Sequence, residues 1–125
     1  MFEGPTEQEL QSEAEVTGAD GWEDANYFSG YNSFALQRAM LSDSHRNAAY
    51  RSCLQGCCGG RVCLDVGSGT GLLAFFAQQA GASRVYAVEA SGMAYHAYRV
   101  AQDNHLSDTV HVSVIVSFFP FLSCW

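Results

Sequence analysis

The sequence predicts an α/β fold, a parallel sheet flanked by helices, and three observations carry that prediction. Residues 62–66, Val-Cys-Leu-Asp-Val, form a short apolar run of the kind that becomes a buried strand. Glycines follow at alternate positions, Gly67, Gly69 and Gly71, before a second apolar segment at helical length. A further strand-like run, Val85 to Val88, ends on the carboxylate of Glu89. Strand, glycine turn, helix and strand in that order make a βαβ unit, which places its strands parallel.

Taken in order, the chain opens on an arm with no sustained periodicity. Residues 1–25 read as disordered: eight acids (Glu3, Glu7, Glu9, Glu13, Glu15, Asp20, Glu23, Asp24) stand there without a single base. The net charge of -7 is therefore concentrated in this arm, because the rest carries six arginines against five acids. No lysine occurs and no basic face is visible, so nucleic acid is not an expected partner. From Ser33 to Leu54 the apolar residues Phe34, Met40, Leu41, Ala48, Ala49 and Leu54 recur near helical spacing. One or two helices are expected, with a break around Ser42 to Ser44. Gln55 to Gly60, with three glycines, reads as a linker into the first strand.

After the glycine turn a helix is expected over Leu72 to Ala80, stopped at Gly81, a residue suited to a left-handed cap. Beyond Glu89, Ser91 can cap a helix reaching about Asn104, and Asp108 marks a turn. Val110, Val112, Val114 and Val116 then alternate as a third strand. The final residues, 117–125, are apolar and form a tail too short for a membrane span. The amino terminus lacks a basic region followed by an apolar core, so no signal peptide is expected. Cys53, Cys57, Cys58, Cys63 and Cys124 accordingly read as free thiols, in a protein of the nucleus or cytoplasm. Their spacing is not that of two C-x-x-C knuckles, and no metal site is expected.

The chemistry sits at the carboxyl ends of the first two strands. A glycine turn lets backbone approach a ligand closely, and an acid there can accept both hydroxyls of a ribose. A nucleoside cofactor is expected. The run Gly69, Gly71, Ala74 formally fits the dinucleotide pattern G-x-G-x-x-A. Asp65, two residues before Gly67, argues against NAD and an oxidoreductase. It would face a dianionic pyrophosphate, whereas a cofactor bearing an ammonium and a sulfonium would be welcome.

Longer stretches carry a family resemblance. Y-F-S-G-Y at 27–31, M-L-S-D-S-H-R-N-A-A-Y at 40–50, L-D-V-G-S-G-T-G at 64–71 and V-Y-A-V-E-A-S at 85–91 occur in this order. Together they resemble the amino-terminal cofactor half of the protein arginine N-methyltransferases. F-F-A-Q-Q-A-G-A and V-E-A-S-G-M-A-Y-H-A are most similar to the coactivator-associated, asymmetrically dimethylating type I subclass. The resemblance implies a partial Rossmann-like S-adenosylmethionine-dependent methyltransferase fold over residues 26–116. The tail at 117–125 departs from it.

What it implies for single residues is specific. Arg46 would pair with the carboxylate of the methionine moiety, Gly67 and Gly69 would bring backbone to the cofactor, and Glu89 would hold the ribose hydroxyls. Phe28 would lie against the adenosine with Gln37 as a polar neighbour, and Asp65 would border the same site. Tyr31 and Met40 would line the place where methyl group and guanidinium meet. His45, His96 and His105 match no position with a role. The family's two catalytic glutamates lie on a hairpin loop beyond the third strand, in a segment this chain does not contain; no catalytic residue is expected here. The implied activity is methyl transfer from S-adenosylmethionine to arginines in proteins such as histones. In this chain, which reads as a truncated isoform, it is expected to be weak or lost. The alternative is a regulatory fragment that dimerises with a full-length relative.

Overall fold

The computed structural model describes residues 34–114; the expectations for Phe28, Tyr31, the arm at 1–25 and the tail at 117–125 lie outside the described residues. Two helices open the described chain, α1 (Phe34–Ser42) and α2 (Ser44–Cys57), followed by β1 (Val62–Val66) and α3 (Leu72–Gln79). Then come β2 (Arg84–Glu89), α4 (Met93–Asp103) and β3 (Val110–Val114).

The expected break between the first two helices falls at Asp43. Its carboxylate accepts from the Arg46 N–H at 3.0 Å, the side-chain cap that Asp supplies well at a helix start. Asn47 Nδ2 donates to the Leu41 carbonyl at 2.9 Å and ties the two helices across the bend. The linker expected over Gln55 to Gly60 is shorter than its glycines suggested, because α2 runs on to Cys57 and takes Gly56 into its last turn. The Cys58 N–H donates to the Leu54 carbonyl, which keeps that turn helical. Only Gly59 and Gly60 are left to turn the chain, the latter at φ 69 with its N–H on the Gly81 carbonyl.

The three strands are parallel in the order β1-β2-β3, with Leu64 opposite Tyr86 and Tyr86 opposite His111. β1 is thus an edge strand among the described residues. Both crossovers step the same way across the sheet, and right-handed crossovers then put α3 and α4 on one face. Ala74 and Ala77 of α3 close there on Val85, Ala87 and Val110, while Ala97 and Ala101 of α4 are also buried. Alanine on the helices and valine on the sheet let the two layers approach closely, at the cost of a thin core. Val85 is the largest fully buried side chain.

Cys58, Cys63 and Leu54 seal the lower edge of this core, and the described cysteines are unbonded. Burial, then contact with the Cys63 and Cys57 thiols, pushes the Cys58 thiol up to about 12. The thiolate is the reactive species, so Cys58 should resist alkylation. Iodoacetamide at neutral pH is expected to label the exposed Cys53 and Cys57 rapidly and to reach Cys58 only after unfolding. Tandem mass spectrometry of the 52–61 peptide reads all three sites at once. Among the described residues no group of three or more His, Cys, Asp or Glu could hold a metal ion, and no helix is long and apolar enough to cross a membrane.

Candidate functional site

The carboxyl ends of parallel strands are where such sheets receive ligands, and the glycine turn lies at that end. Gly67, Gly69 and Gly71 all have positive φ, at 71, 55 and 85. That is the left-handed region, which residues with a Cβ enter at a cost. The Gly67 and Ser68 N–H groups both donate to the Val88 carbonyl, at 2.8 and 3.0 Å, and so pin the turn to β2. Gly71 closes it with a bond to the Ser68 carbonyl and accepts from the Phe75 N–H at the start of α3.

Glu89 is the centre of the arrangement. It is buried at the end of β2, and each carboxylate oxygen holds one backbone donor. Gly69 N–H reaches Oε2 at 2.7 Å, and Ser91 N–H reaches Oε1 at 2.8 Å. The turn and the second strand's acid are thereby locked together across twenty residues of sequence. Each oxygen keeps lone pairs for a further donor, so the carboxylate can grip two adjacent hydroxyls while its own position is fixed.

Gln37 stands over the same turn. It is the only buried residue of α1, at 5% exposure, and a helix whose one buried side chain is an amide is not packing a core there. A Cβ on Gly69 would lie 3.2 Å from Gln37 Oε1, so the glycine is what lets α1 close on the turn. Phe34 meets His96 edge-on at 5.1 Å and holds the start of α1 against α4. Met40, one helical turn beyond Gln37, is half-buried.

Asp65 borders the turn from β1. Burial raises its carboxyl above the usual value of 3.8; an N–H bond from Ala74 works against that, and the nearby Glu89 charge adds to it. One of its oxygens, Oδ2, is buried without a partner, as is Ser68 Oγ beside it. Because the folded pKa is raised, the folded chain holds the proton more tightly than the unfolded one. The stability that Asp65 itself contributes is then fully present below about 3.8 and is lost as pH rises through its folded pKa. At pH 7 the Asp65 carboxylate opposes folding. Asp65→Asn is therefore expected to raise the melting temperature at pH 7. The gain should shrink toward pH 4, and calorimetric scans of both proteins across that range check it.

Of the residues singled out in the sequence, the structure brings Gln37, Asp65, Gly67, Gly69 and Glu89 together. Arg46 is placed in the first turn of α2, half-buried, where it donates to Asn47 Oδ1 at 3.2 Å and lies over the Tyr50 ring at 5.1 Å. None of these contacts reaches the turn. Ser91 has a larger part than the helix cap expected of it. Its hydroxyl does accept from the Met93 N–H, at 3.3 Å, but its own N–H is the second clamp on Glu89. The spacing Glu-x-Ser was the available signal, since a carboxylate readily bonds the N–H two residues on.

Comparison with known proteins fits this geometry. Residues 52–119 match the family model described as ribosomal protein L11 methyltransferase (PrmA). A probable protein arginine N-methyltransferase 3 of Arabidopsis thaliana is 50% identical over 95 residues, which are 72% of this chain and 16% of that protein. The chain belongs to the protein arginine N-methyltransferase family. The PrmA match spans β1, the glycine turn and Glu89, the part that two kinds of methyltransferase hold in common, and the high identity over a longer stretch selects the arginine branch.

Solved structures of arginine methyltransferases agree. Protein arginine methyltransferase 10 of Arabidopsis thaliana superposes with TM-score 0.65 at 42% identity, covering 71% of this chain and 26% of that one. The PRMT1 enzyme–prozyme heterotetrameric complex of Trypanosoma brucei, solved with AdoHcy, superposes at TM-score 0.62 and 35% identity, covering 68% and 27%. The chain spans about a fifth of the length of the curated relatives it matches.

Proposed function

We propose that the chain binds S-adenosylmethionine at the glycine turn and is, in itself, the cofactor half of an arginine methyltransferase. The observation that carries the reading is the Glu89 carboxylate fixed by Gly69 and Ser91 at the end of β2. The residues present fit this group. Two acids, Glu89 and Asp65, face a turn whose Asp65 Oδ2 and Ser68 Oγ are buried and unsatisfied, a setting that favours a cationic ligand with hydroxyl donors over a pyrophosphate. Glu89 would accept the ribose hydroxyls, Gln37 would border the adenosine, and Asp65 would stand by the charged end. Arg46 would supply the carboxylate contact by turning from Asn47 and Tyr50. When bound, S-adenosylmethionine supplies a methyl group on a sulfonium, open to attack by a guanidinium nitrogen of a protein such as a histone.

This chain's own part is to bind and orient. Beyond Glu89 the described acids are Asp103 and Asp108. Asp103 is paired with Arg99 at 3.9 Å on the surface of α4, and Asp108 precedes β3 at the amino ends of the strands, away from the turn. Neither can relieve the charge of a guanidinium at the glycine turn. The same observation supports the second reading, a non-catalytic fragment that associates with a full-length relative, as the heterotetrameric relative joins enzyme to prozyme.

Calorimetric titration with S-adenosylhomocysteine tests the binding. Saturable heat at one site per chain is the expected result, and none would sink the reading. A methylation assay with an arginine-rich histone peptide tests the chemistry. Turnover no greater than that of a Glu89→Ala control is expected; activity above it would overturn the expectation that this chain only binds and orients.

A further inference from the structure

Four thiols of the described residues lie where α2 gives way to β1, at the amino ends of the strands and away from the glycine turn. Cys53 and Cys57 stand four residues apart on α2 and are exposed, Cys58 follows the helix and is buried, and Cys63 is half-buried in β1. Cys57 Sγ lies 3.8 Å from Cys58 Sγ, and the Cys58 thiol also contacts that of Cys63. The backbone carrying the adjacent pair is fixed. Cys58 keeps a helical conformation, φ -93 and ψ -16, with its N–H on the Leu54 carbonyl at 2.9 Å.

A direct bond between these two sulfurs is disfavoured. Neighbouring Cα atoms are about 3.8 Å apart, closer than the ~4.4–6.8 Å that a disulfide ordinarily spans. Closing one here would distort the end of α2. A third atom placed between the sulfurs avoids this, because it bonds both and leaves them apart.

We propose that Cys57 and Cys58 form a dithiol site for trivalent arsenicals, soft electrophiles that bond two sulfurs at once. The step balances without an oxidant. A monosubstituted arsenical in water, R–As(OH)2, forms an As–S bond to Cys57 as one As–O bond breaks, and the thiol proton leaves with the hydroxide as water. Cys58 displaces the second hydroxide in the same way and closes the ring with loss of a second water. Arsenic stays trivalent throughout.

Burial sets the order of the two bonds. Cys57 is exposed and meets the reagent first, whereas Cys58 is 3% exposed and does not meet a free reagent. Once arsenic sits on Cys57, the Cys58 sulfur is beside it, and a bimolecular step becomes an intramolecular one. The Cys58 proton passes to the departing hydroxide, so no free thiolate forms in the core. The other pairs fit less well. Cys53 and Cys57 are one helical turn apart, with Cβ atoms about 5–6 Å from each other. Cys58 and Cys63 lack an exposed sulfur to take the first bond.

Phenylarsine oxide is the probe. The full chain, reduced and folded, is treated with one equivalent in millimolar glutathione, which strips arsenic from single thiols and leaves it on a dithiol. The expected product carries one arsenical per chain, with an intact mass raised by phenylarsine oxide less one water, and dimercaptopropanol removes it. Cys57→Ser should lose the adduct and Cys53→Ser should keep it. The reverse result for either variant would overturn the proposal, as would a parent chain that takes up no arsenical or takes it up only in urea. Cys58→Ala should lose the adduct too, but it opens the core, so the parent gives a second reading. With the arsenical bound, iodoacetamide in urea should label Cys53 and Cys63 and leave both Cys57 and Cys58 unlabelled. Labelling of Cys58 under those conditions would overturn the site.

Discussion

Gly71→Ala is expected to be among the most destabilising small changes in the described chain, costing ~2–5 kcal/mol, and Gly71→Val should prevent folding at 37 °C. Two independent terms add. The backbone there has φ 85, where a residue with a Cβ loses roughly 1–2 kcal/mol. The added Cβ would also lie 3.0 Å from the Phe75 ring and 3.2 Å from Ala97 Cβ, an overpacking that costs about 1–3 kcal/mol. Relief is hard, because Phe75 belongs to α3 and Ala97 to α4, and moving either opens the thin core against β2. Gly67 separates the two terms. Its φ is 71, yet a Cβ there would meet nothing within 4 Å. Gly67→Ala should therefore cost only the backbone term. Urea denaturation of the two variants measures the difference directly; equal midpoints would show that Gly71 is not a packing residue. Against a stability of roughly 0.1 kcal/mol per residue, the Gly71 cost is a large fraction of the whole.

That double duty of Gly71 was not legible in the sequence. The alternate glycines announced a turn after a strand, and the turn is where they put it. Which glycine answers to conformation alone and which also to a neighbour depends on Ala97, twenty-six positions later, and periodicity cannot supply that contact. The same division runs through the site. Glu89 was legible because a strand's last residue in a βαβ unit has only one place to go, the carboxyl end of the sheet beside the turn. Gln37 was placed by resemblance, and the structure supplies a physical reason, an amide as the single buried residue of α1. Arg46 shows where sequence order falls short. Its helix position follows from the Asp43 cap, but the direction of a long flexible side chain does not, and here it turns toward Asn47 and Tyr50. The expectation that residues 62–66 form a buried strand is not met, because one face of β1 is exposed. Val62, Leu64 and Val66 look like any buried parallel strand, and the one-directional strand order leaves them without a layer among the described residues.

Glu89→Gln should abolish binding of S-adenosylhomocysteine, with a loss of ~100-fold or more, and should also weaken the fold. The amide is isosteric, so shape is not the cause. Both oxygens of the carboxylate are engaged by donors, Gly69 N–H on one and Ser91 N–H on the other. An amide offers a single oxygen, and whichever way it is turned its NH2 must face one of those N–H groups. Two donors then oppose each other in a buried place, at a cost of about 1–3 kcal/mol to the protein before any ligand arrives. The ligand loses more. Hydrogen bonds to a charged acceptor contribute roughly 1.5–3 kcal/mol each, and a ribose would lose the charge behind both of them. Glu89→Asp keeps the charge but draws it back by one methylene, so it can hold one of the two backbone donors and not both. It should bind more weakly than the parent and more tightly than Glu89→Gln. That order, parent above Asp above Gln, is what a carboxylate clamped from two sides demands. If Gln equalled the parent in calorimetry while retaining its melting temperature, the Glu89 carboxylate would be neither the clamp of the turn nor the grip on the ribose.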